Sequence, residues 1–331
     1  MKQRRKAWWA AALVGALAVC VWWLTPPRLV GVTAMPVIPV DIDGWLAESE
    51  RAVSAEFELI PGTEKRVRWR QPGVRTRYSV VYLHGFSATR QEISPTAERV
   101  ADRLDANLFE TRLTGHGHGR LPMHEVRAED WLADGVEALH IGASIGDEVI
   151  VIGTSTGSTL ALALADHELM QHVSALVLIS PNIAPADPKA LWLTRPGGSL
   201  LARLMAGDTR SWTAHNAEQE RYWSTSYPSD AVVEVMRLVD RAVRLADEPL
   251  SQPVLMMLSP QDSVISPQRA REAFEALDAP HKELIEVPES GDPSNHILAG
   301  RILSPDTTDA VVDDIVRFIE TNAGHSAEPA N

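Results

Sequence analysis

Gly153-Thr154-Ser155-Thr156-Gly157 is the run of this 331-residue chain that most directly suggests chemistry. It follows the apolar stretch Val149–Ile152 and opens a segment rich in Leu and Ala, so its expected context is strand, tight turn, helix. A serine in such a turn has a strained backbone, and small flanking residues let strand and helix approach closely. The helix start also places backbone N–H groups and a positive dipole end beside the hydroxyl. The plain alternative is a glycine-bracketed helix start without chemistry. The preceding strand and following helix favour a nucleophile instead.

A serine hydroxyl reacts poorly until a base takes its proton, and that base needs a third group to orient it. Asp262 lies just past the apolar strand Val254–Leu258, where functional groups emerge from parallel sheets; its alternative role is a turn residue ahead of a helix at Pro267. His296 sits in the polar loop that follows the strand Glu283–Val287. His281 precedes that strand and falls at the wrong end of the sheet. His167, His172 and His215 read as surface or insertion residues, and Asp292 is too near His296 to arrive from a separate strand. Acyl transfer also needs donors for the charge that develops on the carbonyl oxygen. The expected donors are the N–H of Thr156, next to the nucleophile, and that of Phe86, in Leu83-His84-Gly85-Phe86-Ser87 after an early strand. His84 reads as a supporting residue. His116 and His118 lie among glycines without a third ligand, so neither a metal nor a cofactor site is expected.

These residues need a scaffold that brings strand ends together. From Tyr78 onward, short apolar strands alternate with amphipathic helices, which implies βαβ units and a mostly parallel central sheet flanked by helices. The strands are Ser79–Leu83, Asn107–Thr111, Glu148–Ile152, Ala175–Ile179, Val254–Leu258 and Glu283–Val287. The helices are Pro95–Leu104, Asp130–Ile141, Ser155–Ala165, Pro267–Leu277 and Thr308–Thr321. A helix at Gly44–Val53 and antiparallel strands at Glu56–Ile60 and Lys65–Arg70 are expected before them. Between Asn182 and Gln252 no strand is evident, and the stretch is too long for a loop, so a helical cap is expected. The resulting divisions are a linker with a short helix (28–55), a core in two parts (56–181 and 253–321), the cap (182–252) and a disordered tail (322–331).

Lys2, Arg4, Arg5 and Lys6 precede an uncharged stretch from Ala7 to Leu24, closed by Pro26 and Pro27. As a helix it would span about 27 Å, close to a hydrocarbon core, with Trp8, Trp9, Trp22 and Trp23 at its two ends. The expectation is an anchor over residues 1–27, with the remainder on the extracytoplasmic side. A cleaved signal peptide, lipidation at Cys20 and a buried helix are the alternatives. The net charge of -13 argues against a nucleic-acid partner. The single cysteine, Cys20, leaves the folded part without a disulfide or a thiolate nucleophile.

His84-Gly85-Phe86, Leu113-Thr114-Gly115-His116-Gly117, Asp130-Trp131 and the serine elbow occur in this order. Together they resemble the carboxylesterase and monoacylglycerol-lipase branch of the α/β-hydrolase superfamily, over about Tyr78 to Thr321. The resemblance implies a serine hydrolase that cleaves small or lipid-like carboxylic esters through an acyl-enzyme. It implies a triad of Ser155, Asp262 and His296, an oxyanion hole of Phe86 and Thr156, and a cap over the acyl pocket. Members of the branch often carry Met or Gln where this chain has Thr156. Trp192, Leu193, Leu200, Leu201, Leu204, Met205, Val232, Val235, Met236 and Val239 are expected to line an acyl channel. Amide cleavage of the proline-aminopeptidase type stays open, with Glu218, Glu220 or Glu234 receiving a free amino terminus, as does a non-catalytic binding module.

Overall fold

The computed structural model describes residues 28–118 and 126–323, apart from 33 and 184, together with positions 9 and 15. Seven strands form one sheet in the order β1-β3-β2-β4-β5-β8-β9. They are β1 (Arg66–Arg68), β2 (Thr76–Leu83), β3 (Asn107–Glu110), β4 (Gly146–Thr154), β5 (Val173–Ile179), β8 (Val254–Leu258) and β9 (Lys282–Glu286). Only β1 runs antiparallel, pairing with β3; every other pairing is parallel. A parallel sheet is covered on both faces, which is why the central strands are unbroken Val/Ile/Leu runs rather than alternating ones.

Successive side chains still point to opposite faces. Val81, Val151, Leu176 and Met256 join the core beneath α3 (Ala128–Ile145), α4 (Thr156–Ala163) and α7 (Ser229–Leu245). Val80, Ile150, Val177 and Leu255 join the other core, beneath α2 (Thr96–Arg103) and α9 (Thr308–Asn322). Helix α8 (Pro267–Ala276) completes the alternation between β8 and β9. The carboxyl ends of the parallel strands therefore share one edge, and the loops leaving them meet there.

Ahead of the sheet, α1 (Ile42–Glu56) is longer than expected and replaces the start of the strand predicted at Glu56–Ile60. That segment does not pair with the following strand as expected: Leu59 makes an isolated bridge to His118, while β1 pairs with β3. Glu50 of α1 forms a buried two-pronged ion pair with Arg112 (2.9 and 2.8 Å). Upstream, residues 28–32 lie as a strap against Arg241. Its guanidinium bonds Leu29 O (3.3 Å), Ala163 O (2.8 Å) and Asp166 (2.6 and 2.8 Å), and Leu29 is buried.

Between β5 and β8 the chain makes a 3₁₀ turn (Pro188–Thr194), α5 (Gly198–Ala206), α6 (Ala217–Tyr222) and α7. Contrary to the sequence reading, this insertion also contains strands: β6 (Thr209–Ser211) and β7 (Ser226–Pro228) form an antiparallel ribbon. Three-residue strands are too short to show a period of two. The tail expected from residue 322 is corrected as well, since α9 runs through Asn322 and Ala323 is buried; residues 324–331 lie outside the described residues. So does the expected anchor, apart from Trp9 and Gly15. Among the described residues no helix is long and apolar enough to cross a membrane.

Candidate active site

Ser155 stands between β4 and α4 with φ 52° and ψ -115°, a region that L-residues enter only under constraint. Its N–H continues the sheet to Ile179 O (2.8 Å), and its own carbonyl accepts from Thr159 N in the first helical turn (3.1 Å). Both glycines of the motif are sterically required. A Cβ on Gly157 would lie 1.9 Å from Leu83 O, and one on Gly153 would lie 2.5 Å from Ser158 N. The elbow is thus pressed against the loop that leaves β2. A Cβ built on Gly85 of that loop would come within 3.3 Å of Ser155 Cβ.

His296 and Asp262 meet, with His296 Nδ1 2.7 Å from Asp262 Oδ2. The other carboxylate oxygen, Asp262 Oδ1, accepts from Val264 N (2.8 Å) and Ile265 N (3.0 Å), which fixes the carboxylate at the end of β8. Burial of His296 would lower its pKa. The hydrogen bond and charge of Asp262, with Glu92 and Asp292 adding their charges, outweigh burial and raise it above the ordinary value. Ser180, just past β5, donates its hydroxyl to His296 O (2.6 Å), tying the histidine loop to the strand beside the elbow. Asp292 does not orient the imidazole. Its Oδ2 accepts from His296 N (3.0 Å), Ile297 N (2.9 Å) and Ser294 Oγ (2.6 Å), so it shapes the loop.

Of the two expected oxyanion donors, Thr156 directly follows Ser155 and Phe86 directly follows Gly85. Thr156 opens α4, where the first N–H groups have no partner within the helix. Phe86 lies in the loop packed against Gly157. That loop is held by its neighbours, among them His84 in the supporting role expected of it. His84 Nε2 accepts from Leu113 N (3.0 Å), which puts its proton on Nδ1, facing Gly85 O at 2.8 Å. In return, His116 Nε2 accepts from Ser87 N (3.0 Å), and its Nδ1 faces Thr114 O (3.1 Å). Burial drives the His84 pKa well below the usual value and that of His116 down to about 4, so both rings are neutral. Trp131 Nε1 donates to Thr114 O (3.0 Å), and its ring meets Phe86 edge-on. Glu92 is buried beneath the same loop and takes Gly85 N on Oε2 (2.8 Å). It stands in the polar run Thr89-Arg90-Gln91-Glu92, which reads from sequence as a solvated loop and carries no signal of burial.

The insertion reaches this loop directly: Ser224 N donates to Ser87 O (2.7 Å), and the Tyr227 ring lies 4.9 Å from that of Phe86. The expected acyl lining divides in two. Val235, Met236 and Val239 are buried, whereas Trp192, Leu200, Leu204 and Met205 face outward. Two of the acidic side chains considered for amine recognition are engaged by arginine, Glu218 by Arg301 and Glu234 by Arg237. Glu234 also accepts from Ala128 N (3.0 Å). A crevice of about 770 Å³ opens near the amino ends of β4, β5 and β8, among Asp147, His172 and Gln252. It lies at the opposite edge of the sheet from the groups above. Among the described residues no cluster of three or more His, Cys, Asp or Glu side chains is placed to hold a metal ion.

A mostly parallel sheet with a strained serine elbow at the carboxyl end of a central strand defines an α/β hydrolase. Residues 75–291 match the family model described as serine aminopeptidase, S33, and the chain belongs to that family. It is an α/β hydrolase of the esterase and lipase type, in the branch that includes the monoacylglycerol lipases. The thermostable monoacylglycerol lipase of Bacillus sp. (strain H-257) is 26% identical over 235 residues, spanning 71% of this chain and 88% of that one. Among solved structures, one reported for the metagenome-derived lipolytic enzymes LipS and LipT superposes with a TM-score of 0.66 at 21% identity, covering 80% of this chain and all of that one. The monoacylglycerol lipase of Paleococcus ferrophilus gives 0.55 at 17% identity, over 78% and 98% of the two chains.

Proposed function

We propose that this protein is a serine esterase that hydrolyses small or lipid-like carboxylic esters through an acyl-enzyme. Ser155 Oγ attacks the carbonyl carbon while His296 takes its proton, and the Phe86 and Thr156 N–H groups receive the oxyanion. Asp262 holds the imidazole in the right tautomer and stabilises the imidazolium. His296 then gives its proton to the departing alcohol. A water molecule, deprotonated by the same ring, attacks the acyl-serine, releasing the acid and restoring Ser155.

The observation that carries this reading is the 2.7 Å contact of His296 with Asp262 at the strand edge that also bears the strained Ser155. Ester rather than amide cleavage is favoured by the arginine partners of Glu218 and Glu234, which leave those carboxylates poor receivers for an amino terminus. We further assign residues 182–252 as a cap over the acyl site and residues 1–27 as a membrane anchor with the enzyme outside the cytoplasm. The uncharged stretch between basic residues and paired tryptophans supports the anchor.

Labelling with a fluorophosphonate probe and turnover of p-nitrophenyl esters test the mechanism together. Ser155→Ala should abolish both, and Asp262→Asn should cost about three orders of magnitude in kcat with the fold intact. An active Ser155→Ala protein would discard the mechanism; an active, folded Asp262→Asn protein would require another orienting acid.

A further inference from the structure

Glu92 is 2% exposed, and nothing in the hydrolytic mechanism above uses it. Its Oε2 accepts from Gly85 N (2.8 Å) and from the Tyr82 hydroxyl (2.8 Å). The spot where a Gly85 Cβ would stand is 2.6 Å from Glu92 Oε1 and 3.3 Å from Ser155 Cβ, so carboxylate and serine lie on two sides of one glycine. The histidine loop closes over the same residue, since a Cβ on Gly300 would fall 2.8 Å from Glu92 O. Arg301 N bonds Ser94 O two residues further on (2.9 Å). Glu92 therefore sits where the oxyanion loop and the His296 loop meet.

We propose that Glu92 is a positioning residue of the reaction, holding the oxyanion loop through the Gly85 N–H and adding its charge to that of Asp262 in stabilising the His296 imidazolium. The inference rests on His296 being the base. A buried carboxylate normally discards its charge, and burial does raise the Glu92 pKa, to about 7, against the lowering effect of Gly85 N, Tyr82 and the charge of His296. The charged and titratable groups around Glu92 and His296 are Tyr82 on β2, Asp262 after β8 and Asp292 after β9. Burial keeps Tyr82 protonated, and thus a donor. Glu92 and His296 each feel the other's charge, so their protons leave in coupled steps.

Glu92→Gln in the full-length protein tests this, because the amide keeps an oxygen for Gly85 N while removing the charge. With p-nitrophenyl butyrate the expected result is a roughly tenfold loss in kcat at little change in KM. The acid limb of kcat/KM should also move to lower pH by about half a unit or more, because a less stabilised imidazolium releases its proton sooner. A role confined to packing would lower activity without moving that limb. A folded Glu92→Gln protein with wild-type kcat and an unmoved limb overturns the inference. The wild-type protein provides a second measurement that does not depend on the variant folding: the His296 ring resonances should titrate in two steps, and a single step overturns it equally. Ser155→Ala separates the two levels. If that variant stays active the mechanism itself has failed, whereas an inactive Ser155→Ala beside an indifferent Glu92→Gln removes only the role of Glu92.

Discussion

His84 and His116 lock two loops together as neutral rings, each spending one nitrogen as donor and the other as acceptor. The price appears at low pH. His116 has a pKa of about 4 when folded against 6.5 as a free side chain, so between those values the unfolded chain binds a proton that the folded one refuses. Stability from this residue is complete above the unfolded value and drains away as pH falls towards 4, by about 3 kcal/mol. Glu92, with a raised pKa, works in the opposite sense and would mask the effect in a single profile. The useful comparison is therefore with His116→Asn, where Glu92 is common to both chains. In urea unfolding, the wild-type advantage should shrink by about 3 kcal/mol from pH 6.5 to 4, and a constant advantage would mean that folding does not depress the His116 pKa. At this scale the strained turn at Ser155 and the meeting of Asp262 with His296 were legible, because a glycine-bracketed serine, an aspartate and a histidine each follow a recognisable strand. Glu92 was not, because burial of a carboxylate is decided by loops that meet only in three dimensions.

The strands and helices of the core were legible from Tyr78 onward, since unbroken apolar runs bounded by turns leave few other structures. What escaped was decided by partners rather than by pattern. Phe57 and Leu59 alternate as a strand would, yet Leu59 only bridges to His118 and Phe57 packs on the ring of the same residue (5.2 Å between rings). In the insertion, α5 has apolar residues at helical spacing, and the sequence does not say which face is turned inward. Leu200 is 64% and Leu204 76% exposed, so neither contributes to an acyl wall. Leu200→Ser combined with Leu204→Ser should alter stability by no more than about 0.5 kcal/mol and leave the preference among p-nitrophenyl acetate, butyrate and octanoate unchanged. A collapse of octanoate turnover alone would show that α5 turns inward when substrate is present.

For the molecule as a whole, the family match covers residues 75–291 and so leaves out α1, β1 and His296. The missing pieces are structural parts of the body. Without Glu50 of α1, Arg112 would keep a buried charge with no carboxylate opposite, a costly arrangement. Arg112 also neighbours His116, whose ring holds Ser87, so α1 bears on the loop that leaves β2 through one short chain of contacts.

The strap at residues 28–32 governs how the body would stand on a bilayer. Arg241 fastens it beside Ala163, the last residue of α4, whereas Ser155 immediately precedes the first. One helix of 8 residues, about 12 Å, thus separates the strap from Ser155. With the proposed anchor ahead of Arg28, the body would hang by its amino-end edge and turn the Ser155 side away from the leaflet that holds it. Esters would then be captured from the surrounding fluid or from an apposed surface, and the short leash would forbid grazing on the home membrane. A flexible Gly/Ser spacer of about 15 residues inserted after Pro27, long enough to let the body roll over, should raise hydrolysis of an ester dissolved in the same vesicle severalfold. Turnover of dissolved p-nitrophenyl acetate should not change, and equal rates on the vesicle ester with and without the spacer would rule out this posture.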